Sequence, residues 1–191
     1  MTLQTPQPPP SALRAVLAAL DDESALSKPA AAALRHAPGP LLPAHPLAVY
    51  VLEGSALATA RRTGWRFLIK HGPADIVAAA DVVEAAGQGH VFSHFAAGPY
   101  LDSTVHALRQ AWQLAQGSRT PRRPRLLSMP GHYATALWLS GGDPGAADDL
   151  LIPLSPAPLG VTAHRTYQAA ELLAALERPP LGGAAMALGR S

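Results

Sequence analysis

The chain has no cysteine. That removes disulfides, thiolate zinc sites, cysteine-ligated iron–sulfur clusters and a cysteine nucleophile from consideration. Aromatic residues are scarce, at 5%, so the core is expected to consist of Leu, Val and Ala with Trp65, Trp112 and Trp138 as its few large pieces. No apolar run approaches the roughly 18–20 residues that a membrane span requires. The first residues, MTLQTPQPPPSALRAV, lack the basic stretch leading into an apolar one that marks a secretory signal. These absences lead to the expectation of a soluble, cytoplasmic protein with no membrane partner. Asparagine is missing and arginine far outnumbers lysine, the composition of a GC-rich bacterial genome. Common catalytic motifs are missing too: no G-x-x-x-x-G-K-[ST] loop, no G-x-G-x-x-G, no H-E-x-x-H and no G-x-S-x-G. Gly87-Gln88-Gly89 opens like a dinucleotide loop, but Phe92 stands where the third glycine belongs.

What remains is an ordinary globular composition. With 191 residues, 48% of them hydrophobic and 15% charged, the chain suits one domain with a real core. Residues 1–10 are proline-rich and read as a disordered tail. Residues 11–46 read as a helical arm and proline-rich linker: Ser11 is a candidate N-cap, and Leu13, Val16, Leu17 and Leu20 form an apolar stripe. Pro29 suits the first turn of a second short helix, and APGPLLPAHP then interrupts regular structure.

Residues 47–178 read as the main α+β domain. LAVYVLE is a strand by composition, and in TGWRFLIKHG the residues Trp65, Phe67 and Ile69 alternate with Arg66, Leu68 and Lys70. ADIVAAADVV reads as a strand pairing back, with a helix as the alternative because alanine is a poor strand former. From Pro99, Leu101, Val105, Leu108, Trp112 and Ala115 mark a long amphipathic helix. RLLSM, YATALWLS and DLLIPL follow as strands, then a helix in TYQAAELLAALE. Residues 179–191 read as a flexible tail. Without regular β–α alternation, the expected fold class is α+β: an antiparallel sheet covered by one long central helix, with an N-terminal helical arm and a C-terminal helix. This order of elements resembles that of small secretion-chaperone dimers, a likeness of fold that does not carry function.

Two constellations bear on chemistry. In GHVFSHFAAGPYLDSTVH, His90 and His94 have a spacing that metal sites use on helices, and His106 would be a third ligand. Flanking glycines suit a short extended segment or a loop at least as well as a helix there, and in a strand residues four apart lie roughly 13 Å from each other. Asp102 sits one helical turn before His106, which suggests either an oriented general base or a plain surface pair near the helix N-terminus. The second constellation is basic: Arg62, Arg66 and Lys70 share one strand parity, and Arg119, Arg122, Arg123 and Arg125 crowd the loop after the long helix. Such patches attract nucleic acid, phosphate or an acidic protein surface, although stacking aromatics are missing from the basic face.

The leading expectation is therefore a non-enzymatic protein-binding or adaptor module, chaperone-like in outline, without a cofactor. Its partner would be another protein or a second copy, engaged by the apolar helical arm and the basic patches. The alternatives are a metal-dependent enzyme centred on His90, His94 and His106, with Asp102 assisting, and a nucleic-acid or phosphate-binding domain.

Overall fold

The computed structural model describes residues 3–72, 75–117, 120–142 and 147–178. Three short helices come first. Helix α1 (Pro10–Leu20) starts on a proline, whose fixed φ suits a first turn, and has no side-chain cap. Asp22 caps α2 (Glu23–Leu26) by accepting the Ser24 N–H at 2.9 Å. A 3-10 turn at Pro29–Ala31 leads into α3 (Ala32–Arg35). Strands β1 (Leu41–Val51), β2 (Arg61–His71), β3 (Asp75–Ala85) and β4 (Gly89–Ala96) form an antiparallel meander. The long helix α4 (Pro99–Gly117) follows, then β5 (Arg123–Met129), β6 (Ala134–Ser140), β7 (Leu150–Pro153), the short β8 (Tyr167–Gln168) and α5 (Ala169–Glu177).

The eight strands make one sheet in the order β4-β3-β2-β1-β5-β6-β7-β8. This corrects the expected architecture of an antiparallel sheet covered by a single long helix, with a helical arm to one side. The sheet is mixed, because β5 lies parallel to β1, Ala48–Val51 against Arg125–Ser128. A parallel pair needs a crossover, and α4 supplies it. Nor does α4 alone cover the sheet. It packs on one face, where Leu101, Ala107, Leu108 and Ala111 meet Leu47, Leu68, Leu126 and Ile152. On the other face α1 to α3 bring Ala12, Val16 and Leu34 against Trp65, Phe67 and Phe95. Over β5–β8, α5 brings Leu172 into a cluster with Leu127, Trp138 and Leu151.

The supposed arm is thus part of the core. In α1 the buried side chains are Ala12, Val16 and Ala19, while Leu13 and Leu17 stay 37% and 44% exposed. Small residues let α1 lie close to the sheet, which turns the larger leucines outward. Helix α4 repeats this: Ala107, Ala111 and Ala115 are buried, and Trp112, expected in the stripe, is 37% exposed.

Regular structure also begins earlier than the proline pattern suggests. Strand β1 opens at Leu41, pairs with His71 and tolerates Pro43 and Pro46 by an irregularity between Ala44 and Leu47. Leu3, 4% exposed, makes a parallel bridge to Arg122 just before β5. Gly87 and Gly89, at φ 74° and 76°, turn the β3–β4 hairpin, so the glycine pair in GQG serves a turn. Residues 179–191 lie outside the described residues.

Because Val16 is fully buried, Val16→Asp is expected to cost roughly 3 kcal/mol or more and to lower the single cooperative transition of the whole domain. Thermal unfolding followed by circular dichroism checks this; an unshifted main transition would mean that α1 is not integral to the fold.

Candidate functional site

The alternation holds for Arg66 and Lys70, which lie on the α4 face, opposite to Trp65, Phe67 and Ile69. The β1–β2 register shift between Val49 and Tyr50, however, sets Arg62 across from Tyr50 on the other face. Nor is the α4 face open sheet. Leu68, between Arg66 and Lys70, is fully buried under α4. Arg66 is itself 9% exposed and donates through both Nε and Nη2 to Asp81 of β3, each at 2.7 Å. Burial disfavours the Arg66 charge, yet the hydrogen bonds and charge of Asp81 outweigh it and hold the guanidinium above its ordinary value. Arg62 lies 3.6 Å from Glu84. Lys70 has no such partner among the described residues. It lines a cavity beneath α4 with His45 and Arg109.

The second basic group is dispersed as well. Arg122 donates to the carbonyl oxygens of Leu139 and Asp148 and sits 3.7 Å from the Asp148 carboxylate. Arg123 donates to Gln4 Oε1 at 3.0 Å. Arg125 lies over the rings of Tyr50 and Trp138, 5.0 and 4.7 Å from their centroids, on the face opposite α4. Arg119 lies outside the described residues. Arg62, across the ladder from Tyr50, and Arg125 thus share the face opposite α4, whereas Arg66 and Lys70 lie on the α4 face.

The histidines are similarly parted. His90 and His94 lie on strand β4 and His106 on α4. His90 Nδ1 is 2.9 Å from Ser11 Oγ, tying the start of α1 to the sheet edge in place of the N-cap expected of Ser11. His94 Nε2 is 3.3 Å from the Asp81 carboxylate. The ring of His106 meets that of His164 at a tilt of 55°, centroids 4.4 Å apart, and no hydrogen bond or ion pair joins it to Asp102. Among the described residues, no group of three or more His, Asp or Glu side chains gathers so as to hold a metal ion.

Sequence reasoning did not find the Ser103–His164 contact. Ser103 Oγ accepts the Ser155 N–H at 2.8 Å and lies 3.1 Å from His164 Nε2. A hydroxyl that accepts the amide has its proton free to give to a neutral imidazole, as in a nucleophile–base pair. Ser103 is 5% exposed, however, and lines none of the cavities described here. The pair ties the loop after β7 to α4. His164 is 61 residues from Ser103 and carries no motif, so no local signal could have revealed it.

No family model, curated protein or solved structure matches the chain. The site must be read from its own geometry.

The two edges of the sheet differ in length. Strand β8 is two residues long, a blunt edge. At the opposite edge β4 runs for eight residues, Gly89–Ala96, and pairs only with β3. It carries no Lys, Arg, Asp, Glu or Pro, the residues that usually keep an edge strand single. Val91 and its cross-strand partner Val83 are 41% and 44% exposed. Helix α1 packs close to this strand, with the Ser11 side chain against Gly89 and His90.

His45 and His164 both have their pKa held below the ordinary imidazole value, by burial first and then by Lys70 and His106 respectively. Each accepts a proton less readily in the folded chain than in the unfolded one. Stability is therefore complete above about pH 6.5 and falls as the pH drops from there toward the lowered native values. Urea unfolding midpoints at about pH 7.5 and about pH 5 are expected to show this loss, and His45→Gln is expected to reduce it.

Proposed function

We propose that the protein is a non-enzymatic protein-binding module that works by strand addition at β4, and that its first partner is a second copy of itself. The carrying observation is the uncharged eight-residue edge with Val83 and Val91 exposed beside it. A foreign acidic or basic segment would find no complementary charge along this strand. A second β4 finds an edge of the same polarity, and a two-fold axis lets both copies use the same surface. The pairing of Arg62, Arg66 and Arg122 with carboxylates supports this reading over a nucleic-acid interface, because little of that charge is left for a phosphate backbone. The separation of His90 and His94 from His106 likewise favours binding over metal-dependent catalysis.

Val91→Lys places a charge on the edge without touching the core. Surface changes of this kind alter stability by about 0.5 kcal/mol or less. Light scattering across a concentration series is expected to give a dimer for the native chain and a monomer for Val91→Lys, with unchanged thermal stability. A native chain that stays monomeric throughout, or a dimer that survives the substitution, would sink the proposal.

A further inference from the structure

Helix α4 does not close against the sheet along its whole length. Where β1 is irregular, between Ala44 and Leu47, a cavity of about 260 Å3 opens between the helix and β1–β3. Leu68 and Ile76 of the sheet and Val105 and Leu108 of the helix give it apolar walls. The ring of Trp112 and the side chains of His45, Lys70 and Arg109 complete the lining, and none of the lining residues is acidic.

Three observations make this a built site. First, Lys70 and Arg109 form no ion pair or side-chain hydrogen bond among the described residues, although Arg62, Arg66, Arg122 and Arg165 all have carboxylates within 4 Å. Two cations held on one cavity repel each other, and an entering anion relieves that repulsion. Second, His45 adopts a left-handed φ of 44°, a strained conformation for a residue with a side chain. Irregularities of this kind re-aim side chains, and strain persists where the fold over-determines it, commonly at ligand sites. Here the irregularity brings His45 onto a cavity lined by Lys70. Third, Trp112 remains 37% exposed beside the cavity while Ala111 and Ala115 carry the helix packing. Its indole is a ready wall for a flat or branched apolar group.

We propose that this cavity is a binding site for a small amphipathic carboxylate, whose charged end meets Lys70 and Arg109 and whose apolar body lies between Leu68, Ile76, Leu108 and Trp112. The volume falls below the ~300–1,000 Å3 of drug-sized pockets, so the apolar body is short: one ring or a short alkyl chain. A guanidinium and an ammonium converging on one anion supply charge-assisted hydrogen bonds. The neighbouring imidazole gives a third donor. Inorganic phosphate would satisfy the charges and leave the apolar walls uncovered. A neutral molecule of the same shape would leave the cations unmatched. The site lies under α4 and owes nothing to the β4 edge, so it stands or falls separately from the strand-addition proposal.

Titration of the full chain with phenylacetate and with hexanoate, by calorimetry and by saturation-transfer NMR, tests this. Phenylacetamide and inorganic phosphate are the controls, and phenyl phosphate separates carboxylate from phosphate recognition. At least one carboxylate is expected to bind, with phenylacetamide and inorganic phosphate each weaker by about tenfold or more. Lys70→Met and Arg109→Met are each expected to weaken the carboxylate by a similar factor. Their melting temperatures are expected to match the native chain, because neither residue has a partner to lose among the described residues. Four results would overturn the proposal: no binding of either carboxylate, equal binding of phenylacetamide, tighter binding of inorganic or phenyl phosphate, or carboxylate binding indifferent to both substitutions.

Discussion

The short parallel ladder between β1 and β5 holds the molecule together. On one side of it β1 to β4 form an antiparallel meander, and on the other β5 to β8 form a second one. Among the described residues, Ala48–Val51 against Arg125–Ser128 is the strand pairing that joins the two, extended by the Leu52 N–H donating to the Ser128 carbonyl. A parallel junction cannot be closed by a tight turn, so the chain must travel the length of the sheet between β4 and β5, and it does so as α4. The helix lies across the seam, with Leu47 and Leu68 from one half and Leu126 and Ile152 from the other buried beneath it. The opposite face must then be covered separately for each half. Helices α1 to α3 take one half and α5 the other.

Strand β1, at the centre of this arrangement, is the least regular in its pairing. Pro43 and Pro46 lack the N–H that a ladder needs, and the β1–β2 register shifts between Ala44 and Leu47. Pairing to β5 starts only at Ala48, and Leu3 takes up a bridge to Arg122 just before it. The same irregular stretch holds His45, at positive φ, where it lines the cavity between α4 and β1–β3. The buried N-terminal leucine, the strained histidine and the cavity thus gather around one break in a central strand.

Charge in this protein is governed by cross-strand pairing more than by its density along the chain. Arg66 meets Asp81 directly across the β2–β3 ladder, and Arg62 reaches Glu84. A run that looks basic along one strand is nearly neutral in two dimensions, because the neighbouring strand supplies the acids. Lys70 lacks such a neighbour: the register shifts after Ile69 and sets Ile76 opposite it. It is left without a carboxylate partner among the described residues.

Period and punctuation were legible in the residues themselves. Alternation in WRFLIK predicted β2 and the parity of Arg66 and Lys70, though not that of Arg62 beyond the register shift. The glycines around GQG agreed with a turn, and Pro99 with the stripe after it located α4. Those features depend on neighbours within a few residues, where backbone sterics and side-chain direction act. The pairing of β1 with β5, the covering of both faces, and the docking of α1 through Ala12 and Val16 rather than Leu13 and Leu17 could not be read this way. Nor could the partners of Ser103, Arg66 and His90, which lie 61, 15 and 79 residues away. An alternating strand specifies two faces without naming what covers either. An alanine-rich helix allows close approach from more than one side, and only the packed sheet selects among those contacts.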